Sequence, residues 1–292
     1  MRILGVHGVG NFRPDTTVGD AREQLARIWA KSLARGPFSA SVDQCDIDVA
    51  YYADLLREPG QQGPGEPGLS GLTVEAEDLV RAWLGEVGLP EEAPQGFVTW
   101  PLRQALGWVA ARERLAPALV EAFVAKFFSE VARYLSPSDD QPRRKVKAVV
   151  ADLLARHTPQ VVIAHSLGSV VAYEALWAHE EQPVDLLITL GSPLALPHAV
   201  FPRLQPPPEA KMGKRPPAVR RWVNIADVGD LVALPVGGIS RSFVELDGDH
   251  HGHIHAFDFH LAANYLACTP LADTLARELA QSADGTPDTR SH

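Results

Sequence analysis

Ser166 has the surroundings of an activated serine nucleophile. The apolar run of residues 161–164 is typical of a buried strand, residues 164–168 (Ala-His-Ser-Leu-Gly) form a turn, and a helical pattern follows. A serine on such a strand-to-helix turn stands clear of the sheet edge, and Gly168 lets the backbone double back against the strand. The pattern predicts nucleophilic catalysis. The simpler alternative is an ordinary βα turn whose serine only caps the helix.

A second strand pattern, residues 2–6, ends in a glycine-containing loop, residues 7–10 (His-Gly-Val-Gly). Acyl transfer to a serine creates an oxyanion that needs two backbone N–H donors, one after the nucleophile and one on an early loop. We expect these donors at Leu167 and Val9, where the glycines let the backbone approach a ligand. The alternatives are a plain tight turn or a fragment of a nucleotide loop, although the G-x-G-x-x-G spacing is absent.

Two aspartates follow the strand pattern of residues 220–226 and are candidates for the acid that orients a histidine. Asp230 directly precedes the apolar run of residues 231–235, which would anchor its loop. Asp227 stands at the strand end, where it would bond to nearby N–H groups or support the site indirectly. A carboxylate there holds an imidazole in one tautomer and stabilises its charged form. We prefer Asp230 and keep Asp227 as the alternative.

Histidines crowd residues 250–260, and all of them satisfy the chain order Ser, Asp, His. The base is expected on a loop or on the first turn of the final helix, after a last strand that residues 241–246 predict. His260 heads an apolar helical pattern and is therefore preferred. His255 is the alternative, and the histidines before His260 are expected in a glycine-interrupted loop.

The same region also has a metal-binding pattern. His253 and His255, with Asp258 nearby, form a His-x-His pair like those of metallo-hydrolases. Such a site needs further ligands, and the sequence offers no second cluster; neither Cys45 nor Cys268 has a partner at metal spacing. We therefore expect no metal and no other cofactor.

These motifs together resemble the α/β-hydrolase superfamily, across roughly two thirds of the chain. The chain looks like the bacterial lipases and esterases that carry alanine in place of the first glycine of the serine turn. Residues 230–235 are similar to the acid-bearing loop of fungal-type lipases. The segments that carry the likeness are residues 7–10, 164–168, 190–193, 222–227 and 260–266.

The resemblance implies an α/β-hydrolase fold, a mostly parallel sheet flanked by helices, with an inserted helical cap. It also implies ester hydrolysis with Ser166 as nucleophile, Asp230 as acid and His260 as base. The mostly apolar composition of the insertion favours a small-molecule or lipid-like ester as substrate. A thioesterase or peptidase with the same triad, a metal-dependent hydrolase, and a binding protein without catalysis stay open as alternatives.

Composition agrees with a globular protein. The chain has 292 residues, of which 46% are apolar and 22% charged, enough for one large α/β domain with a cap or for two domains. A net charge of −9 argues against nucleic acid or an anionic membrane as a partner. No apolar stretch reaches 18 residues, so no transmembrane segment is expected. Met1 leads directly into the first strand, and the two cysteines are far apart, which favours a cytoplasmic location.

Patterning along the chain predicts the domain organisation. Residues 1–54 and 141–281 form the α/β-hydrolase core, and residues 55–140 form an inserted, mainly helical cap. A proline-rich second insertion, residues 194–217, follows the Gly-Ser-Pro turn and is expected near the carboxyl edge of the sheet. Residues 282–292 are polar and are expected to be disordered.

Overall fold

The computed structural model describes residues 1–57, 68–88, 101–254 and 260–284. The strands of its main sheet are β1 (Arg2–Val6), β2 (Asp46–Ala50), β3 (Val161–His165), β4 (Val184–Leu190), β6 (Val219–Asp227) and β8 (Gly248–Gly252). Within the described ranges these six strands lie in the order β2-β1-β3-β4-β6-β8, and every neighbouring pair is parallel. Two short strands, β5 (Gly213–Lys214) and β7 (Phe243–Val244), pair separately.

Helices occupy most of the crossovers that parallel strands require. They are α1 (Val18–Leu33), α2 (Val74–Val87), α3 (Leu102–Arg112), α4 (Pro117–Leu135), α5 (Gln141–His157), α6 (Leu167–Ala178), α7 (Gly238–Ser242), α8 (Ala262–Leu266) and α9 (Thr269–Asp284). The Thr17 hydroxyl accepts a hydrogen bond from the Asp20 N–H at the start of α1, which satisfies a donor that the first turn leaves unpaired. The last helix includes the first residues of the tail predicted at 282–292, and residues 285–292 lie outside the described ranges.

The core lies in two layers because successive strand residues point to opposite faces of the sheet. In β3, Val162 and Ala164 face a layer built with α2 to α6, whereas Val161 and Ile163 face a layer built with α1, α8 and α9. All four side chains are buried. A strand covered on both faces reads as a continuous apolar run, which is what made β3 visible in the sequence. The predicted fold class, a mostly parallel sheet flanked by helices, is confirmed.

The last strand differs from the prediction. Residues 241–246 contain the end of α7 and the short strand β7, and the last strand of the main sheet in chain order is β8, which lies at one of its two edges. The Phe243 ring packs over the sheet against Trp222, with centroids 5.1 Å apart, so its apolar character serves packing. His250 and His251, predicted in a loop, belong to β8. An edge strand pairs on one side only and tolerates such polar residues. It therefore lacks the apolar pattern by which the other strands can be predicted.

The helices of the predicted cap form a layer that is continuous with the core. Helices α2, α3 and α4 pack against one another, and α4 also contacts α5. Trp83 and Phe127 are buried and join the same core layer as Leu4 and Val6 of β1. The Trp83 indole N–H donates to the Leu231 carbonyl at 2.6 Å, which ties α2 to the loop of the predicted acid. Residues 58–67 and 89–100 of the predicted cap lie outside the described residues, and the division into core and cap stays a prediction.

A buried ion pair holds the predicted insertion of residues 194–217. Arg143 binds Glu174, with 2.8 Å between Nε and Oε2, and its guanidinium also donates to the Arg203 carbonyl at 2.6 Å. Glu174 accepts a further hydrogen bond from the Gln205 N–H at 3.1 Å. A buried carboxylate with this many partners requires one arrangement of the chain around it. This part of the insertion is therefore anchored to α5 and α6.

Candidate active site

Ser166 lies where β3 ends and α6 begins. Its backbone angles are φ 57° and ψ −131°, a conformation that residues with a side chain rarely adopt and that occurs at functional sites. Its N–H donates to the Leu190 carbonyl at 3.0 Å, which ties the turn to β4. A Cβ atom built on Gly168 would lie closer than 3.0 Å to the carbonyl oxygens of Val6 and His7. The turn therefore requires glycine at that position.

Ser166, His260 and Asp230 form one hydrogen-bonded chain. His260 Nε2 lies 2.6 Å from Ser166 Oγ, and His260 Nδ1 lies 2.8 Å from Asp230 Oδ2. All three residues are buried. Because an ionised carboxylate can only accept, Nδ1 carries the imidazole proton and Nε2 accepts from the serine hydroxyl. The carboxyl ends of β3 and β6 and the turn before α8 bring the three side chains together.

Asp230 stays ionised although it is buried. Burial acts to raise the pKa of the Asp230 carboxyl, but the charge of His260 and the hydrogen bonds around the carboxylate hold this pKa below its usual value. Besides His260, the donors are the Tyr265 hydroxyl at 2.6 Å and the Val232 N–H at 2.8 Å. Such a carboxylate can fix the histidine tautomer and stabilise an imidazolium.

Asp227, the alternative acid, bonds to the backbone instead. Its Oδ1 accepts from the Gly229 N–H at 2.8 Å, and its Oδ2 accepts from the Ile254 N–H at 2.7 Å. The Asp227 carbonyl accepts from the Asp230 N–H at 3.1 Å. Asp227 therefore supports the loop that carries Asp230. The alternative base, His255, lies outside the described residues.

The loop after β1 lies directly beside the serine. A Cβ atom built on Gly8 would stand 2.5 Å from Ser166 Cβ and 3.0 Å from Ser166 Oγ, so this close approach of the loop to the serine requires glycine. In the described part of the chain, the N–H groups of Val9 and Leu167 donate to no other group. The Leu167 N–H belongs to the first turn of α6, where donors have no partner within the helix. An oxyanion needs backbone N–H donors of this kind, and the assignment of Val9 and Leu167 to that role stays a prediction.

His7 holds this loop in place. Its Nδ1 donates to the Gly8 carbonyl at 2.7 Å, and its Nε2 accepts from the Tyr52 N–H at 3.3 Å. The His7 and Tyr52 rings stack with centroids 4.1 Å apart. Burial lowers the pKa of His7 to about 4, so the imidazole is neutral at pH 7. The Gly10 N–H donates to Glu130 Oε1 at 2.9 Å, which joins the loop to α4.

Aromatic side chains of α4 cover the histidine of the site. The ring centroids of Phe123 and Phe127 lie 5.7 Å and 6.0 Å from that of His260, and both contacts are edge-on. The two phenylalanines are one turn apart on the same helix face and stack on each other at 5.6 Å. They give the site an apolar wall and limit the access of water to the imidazole.

Two residues of the site were missed by the sequence reasoning. The His165 ring lies 4.8 Å from the His260 ring, and burial, with a smaller contribution from His260, lowers the pKa of His165 well below its usual value. Tyr265 donates to Asp230 and accepts from the Asp227 N–H at 3.0 Å. His165 adjoins the serine in sequence, which was an available signal. The spacing of five residues between His260 and Tyr265 matches no sequence motif that would have indicated Tyr265.

The described residues contain no group of three or more His, Cys, Asp or Glu side chains that could hold a metal ion. His255 and Asp258 of the predicted metal pattern lie outside these residues. Cys45 and Cys268 are both free thiols. Among the helices that the structure describes, none is long and apolar enough to cross a membrane.

The parallel sheet with helices on both faces, and the strained serine between β3 and α6, are features that the α/β-hydrolase fold also has. No protein-family model matches this sequence, and no curated protein does. A crystal structure of dienelactone hydrolase from Anabaena variabilis is similar at 12% identity and a TM-score of 0.29, over 96% of this chain and 83% of that one. An uncharacterized protein from Pseudomonas aeruginosa is similar at 11% identity and a TM-score of 0.28, over 86% and 40%. Sequence identities and TM-scores this low do not indicate a shared activity.

Proposed function

We propose that this protein is a serine hydrolase that cleaves carboxylic esters through an acyl-enzyme intermediate. The observation that carries the proposal is the hydrogen-bonded chain from Ser166 Oγ through His260 to Asp230, at 2.6 Å and 2.8 Å. Distances of this length let a base take a proton from a nucleophile in one step. The strained backbone of Ser166 supports the same proposal, because strain of this kind is found at reactive groups.

The mechanism has two stages. His260 takes the hydroxyl proton as Ser166 attacks the ester carbonyl, and Asp230 stabilises the imidazolium that forms. The N–H groups of Val9 and Leu167 receive the oxyanion, an interaction worth roughly 2.7–4 kcal/mol per donor in comparable sites. His260 then protonates the leaving alcohol. Water, activated by the same imidazole, releases the acid and restores the serine.

The apolar surroundings of the site favour an ester with an apolar acyl group. Phe123 and Phe127 contact the imidazole, and Leu119, one turn before Phe123 on the same helix, is exposed. A hydrocarbon chain that leaves water for this face of α4 gains about 25 cal/mol per Å² of buried surface. We propose that α2, α3 and α4 belong to a cap, residues 55–140, that contributes this face. The proposed substrate is a small-molecule or lipid-like ester.

The full burial of Ser166 favours one second candidate. A relative of serine hydrolases that binds a ligand or a partner without turnover would have no need to expose its serine. A thioesterase or peptidase could use the same triad, and a change of substrate in the same assay tests for it. A cytoplasmic location stays a prediction from the sequence.

Hydrolysis of p-nitrophenyl esters of increasing acyl length tests the proposal, with the Ser166→Ala variant and a chelator as comparisons. We expect release of p-nitrophenol by the unaltered protein with and without EDTA, and no release above background by the variant. Activity that survives Ser166→Ala but disappears with EDTA would show a metal-dependent hydrolase instead. No turnover of esters, thioesters or amides by a folded protein would favour the binding role.

A further inference from the structure

The hydroxyl of Tyr265 stands between the two aspartates of the site. It donates to Asp230 Oδ2 at 2.6 Å and accepts from the Asp227 N–H at 3.0 Å. The same Oδ2 atom accepts from His260 Nδ1 at 2.8 Å. The tyrosine and the histidine therefore share one carboxylate oxygen, and the backbone N–H of Asp227 fixes the direction in which the hydroxyl donates.

The position of Tyr265 is set by packing on several sides. The residue is buried in α8, the helix that begins two positions after His260. Its ring lies 5.7 Å from the His165 ring, between centroids. A Cβ atom built on Gly191, at φ 51°, would stand 3.0 Å from the Tyr265 ring. The hydroxyl thus has no freedom to turn away from Asp230.

We propose that Tyr265 is a positioning residue that determines how strongly Asp230 holds the proton of His260. Its consequence for catalysis rests on the proposed function, since His260 must be neutral to act as a base. The effect of Tyr265 on the proton affinity of His260 is a property of the hydrogen-bonded network and can be measured without a substrate.

The direction of the effect follows from the sharing of charge on one oxygen. A donor that does not titrate draws part of the carboxylate charge toward itself and leaves less for the imidazolium. Burial, followed by the charge of Asp230, raises the pKa of Tyr265 far above its usual value, so the phenol stays protonated. Loss of the hydroxyl leaves His260 facing a more concentrated negative charge. His260 should then keep its proton to a higher pH.

Other groups face the network and stay in place when the hydroxyl is removed. His165 from β3 contacts both rings, and Asp227 at the end of β6 is bonded to two backbone N–H groups. From α4, Phe123 and Phe127 contact the His260 ring, and neither of them titrates. Their contributions to the titration of His260 cancel in a comparison of two variants that differ only at Tyr265.

The test is an NMR titration of the histidine ring signals in the unaltered protein and in Tyr265→Phe, with His260 assigned by comparison with His260→Gln. We expect the His260 midpoint in Tyr265→Phe to rise by about 0.5–1 pH unit, a three- to tenfold gain in proton affinity. Tyr134→Phe is the matched control. It removes a tyrosine hydroxyl that donates to another buried carboxylate, Glu174, at 2.8 Å, and should leave the His260 midpoint unchanged.

An unchanged or lowered His260 midpoint in a folded Tyr265→Phe protein would overturn the proposal. If that variant does not fold, 3-fluorotyrosine at position 265 replaces it; the more acidic phenol is a stronger donor and should lower the midpoint, and a midpoint that does not fall would count against the role. In the ester assay, the acidic limb of the kcat/KM profile should shift with the NMR midpoint. A shifted midpoint in a protein that hydrolyses nothing would contradict the proposed function and leave the role of Tyr265 standing.

Discussion

The α-carbon of Gly168 lies directly against the carbonyl oxygen of Val6, so close that a methyl group on Gly168 would come within 3.0 Å of that oxygen. This contact joins the two halves of the site. Val6 ends the strand that leads into the Val9 loop, and Gly168 follows Ser166 by two positions in α6. The separation between the serine and the loop is thus set by a backbone contact that has no room for a side chain.

We expect Gly168→Ala to destabilise the protein by about 1–3 kcal/mol, because the added methyl group forces backbone against backbone. Urea unfolding followed by circular dichroism measures the change. Gly107→Ala is the matched control, since a Cβ atom at Gly107 in α3 meets nothing within 4 Å. That variant should gain up to about 1 kcal/mol from helix propensity. Equal stability of the two alanine variants would contradict the close packing of the serine turn.

The two aspartates near the histidine should differ in their effect on turnover. Asp230→Asn should lower kcat by about 10⁴-fold, because an amide facing His260 Nδ1 no longer favours the tautomer with a free Nε2. Asp227→Asn keeps one acceptor oxygen but leaves one of the two backbone N–H groups facing an amide NH₂ donor, and should mainly lower stability, by about 1–3 kcal/mol. Steady-state kinetics and urea unfolding of both variants separate these effects. A larger kcat loss in Asp227→Asn would reassign the acid.

His7 predicts a pH dependence of stability. Its pKa of about 4 in the folded protein lies below the usual 6.5, so the unfolded chain binds a proton that the folded protein does not bind between these values. The neutral His7 imidazole contributes about 3 kcal/mol to the free energy of unfolding. This contribution is complete above pH 6.5 and is lost as the pH falls to about 4. The urea midpoint, measured from pH 7 to pH 4, should fall less steeply in His7→Gln, which does not titrate. Identical slopes would show that His7 is protonated in the folded protein.

Phe123 should affect long acyl chains more than short ones. In Phe123→Ala the apolar face of α4 beside His260 becomes smaller, so we expect KM for p-nitrophenyl octanoate to rise about tenfold, equivalent to about 1.4 kcal/mol of lost contact. The acetate ester is the internal control and should show little change in KM. If kcat falls equally for both esters while KM stays constant, Phe123 acts on the imidazole and not on the acyl chain.

Much of the sheet could be predicted because its central strands are covered on both faces. Most residues of β1, β3, β4 and β6 are apolar, and the turn around Ser166 follows directly from its neighbours in sequence. The edge strand β8 was placed wrongly, because Asp249, His250 and His251 have the composition of a loop. A pattern of apolar residues indicates a buried strand, and the residues of β8 are only half-buried or exposed.

The composition of the site was predictable only in part. Chain order placed Asp230 and His260 after Ser166, and the structure brings these three side chains within hydrogen-bonding distance. Their catalytic roles stay predictions. The contacts of Tyr265 and Phe123 arise where α8 and α4 meet the sheet edge, and such meetings depend on packing between elements that are distant in sequence. No local spacing could have indicated them.

Covalent labelling of Ser166 tests its proposed role as a nucleophile most directly. We would incubate the unaltered protein, Ser166→Ala and His260→Gln with an alkyl fluorophosphonate and measure intact mass. We expect one adduct on the unaltered protein, located at Ser166 by peptide mapping, with no adduct on Ser166→Ala and a rate at least about 100-fold lower on His260→Gln. An adduct on a different residue, or equal labelling of the unaltered protein and His260→Gln, would contradict a nucleophile activated by His260.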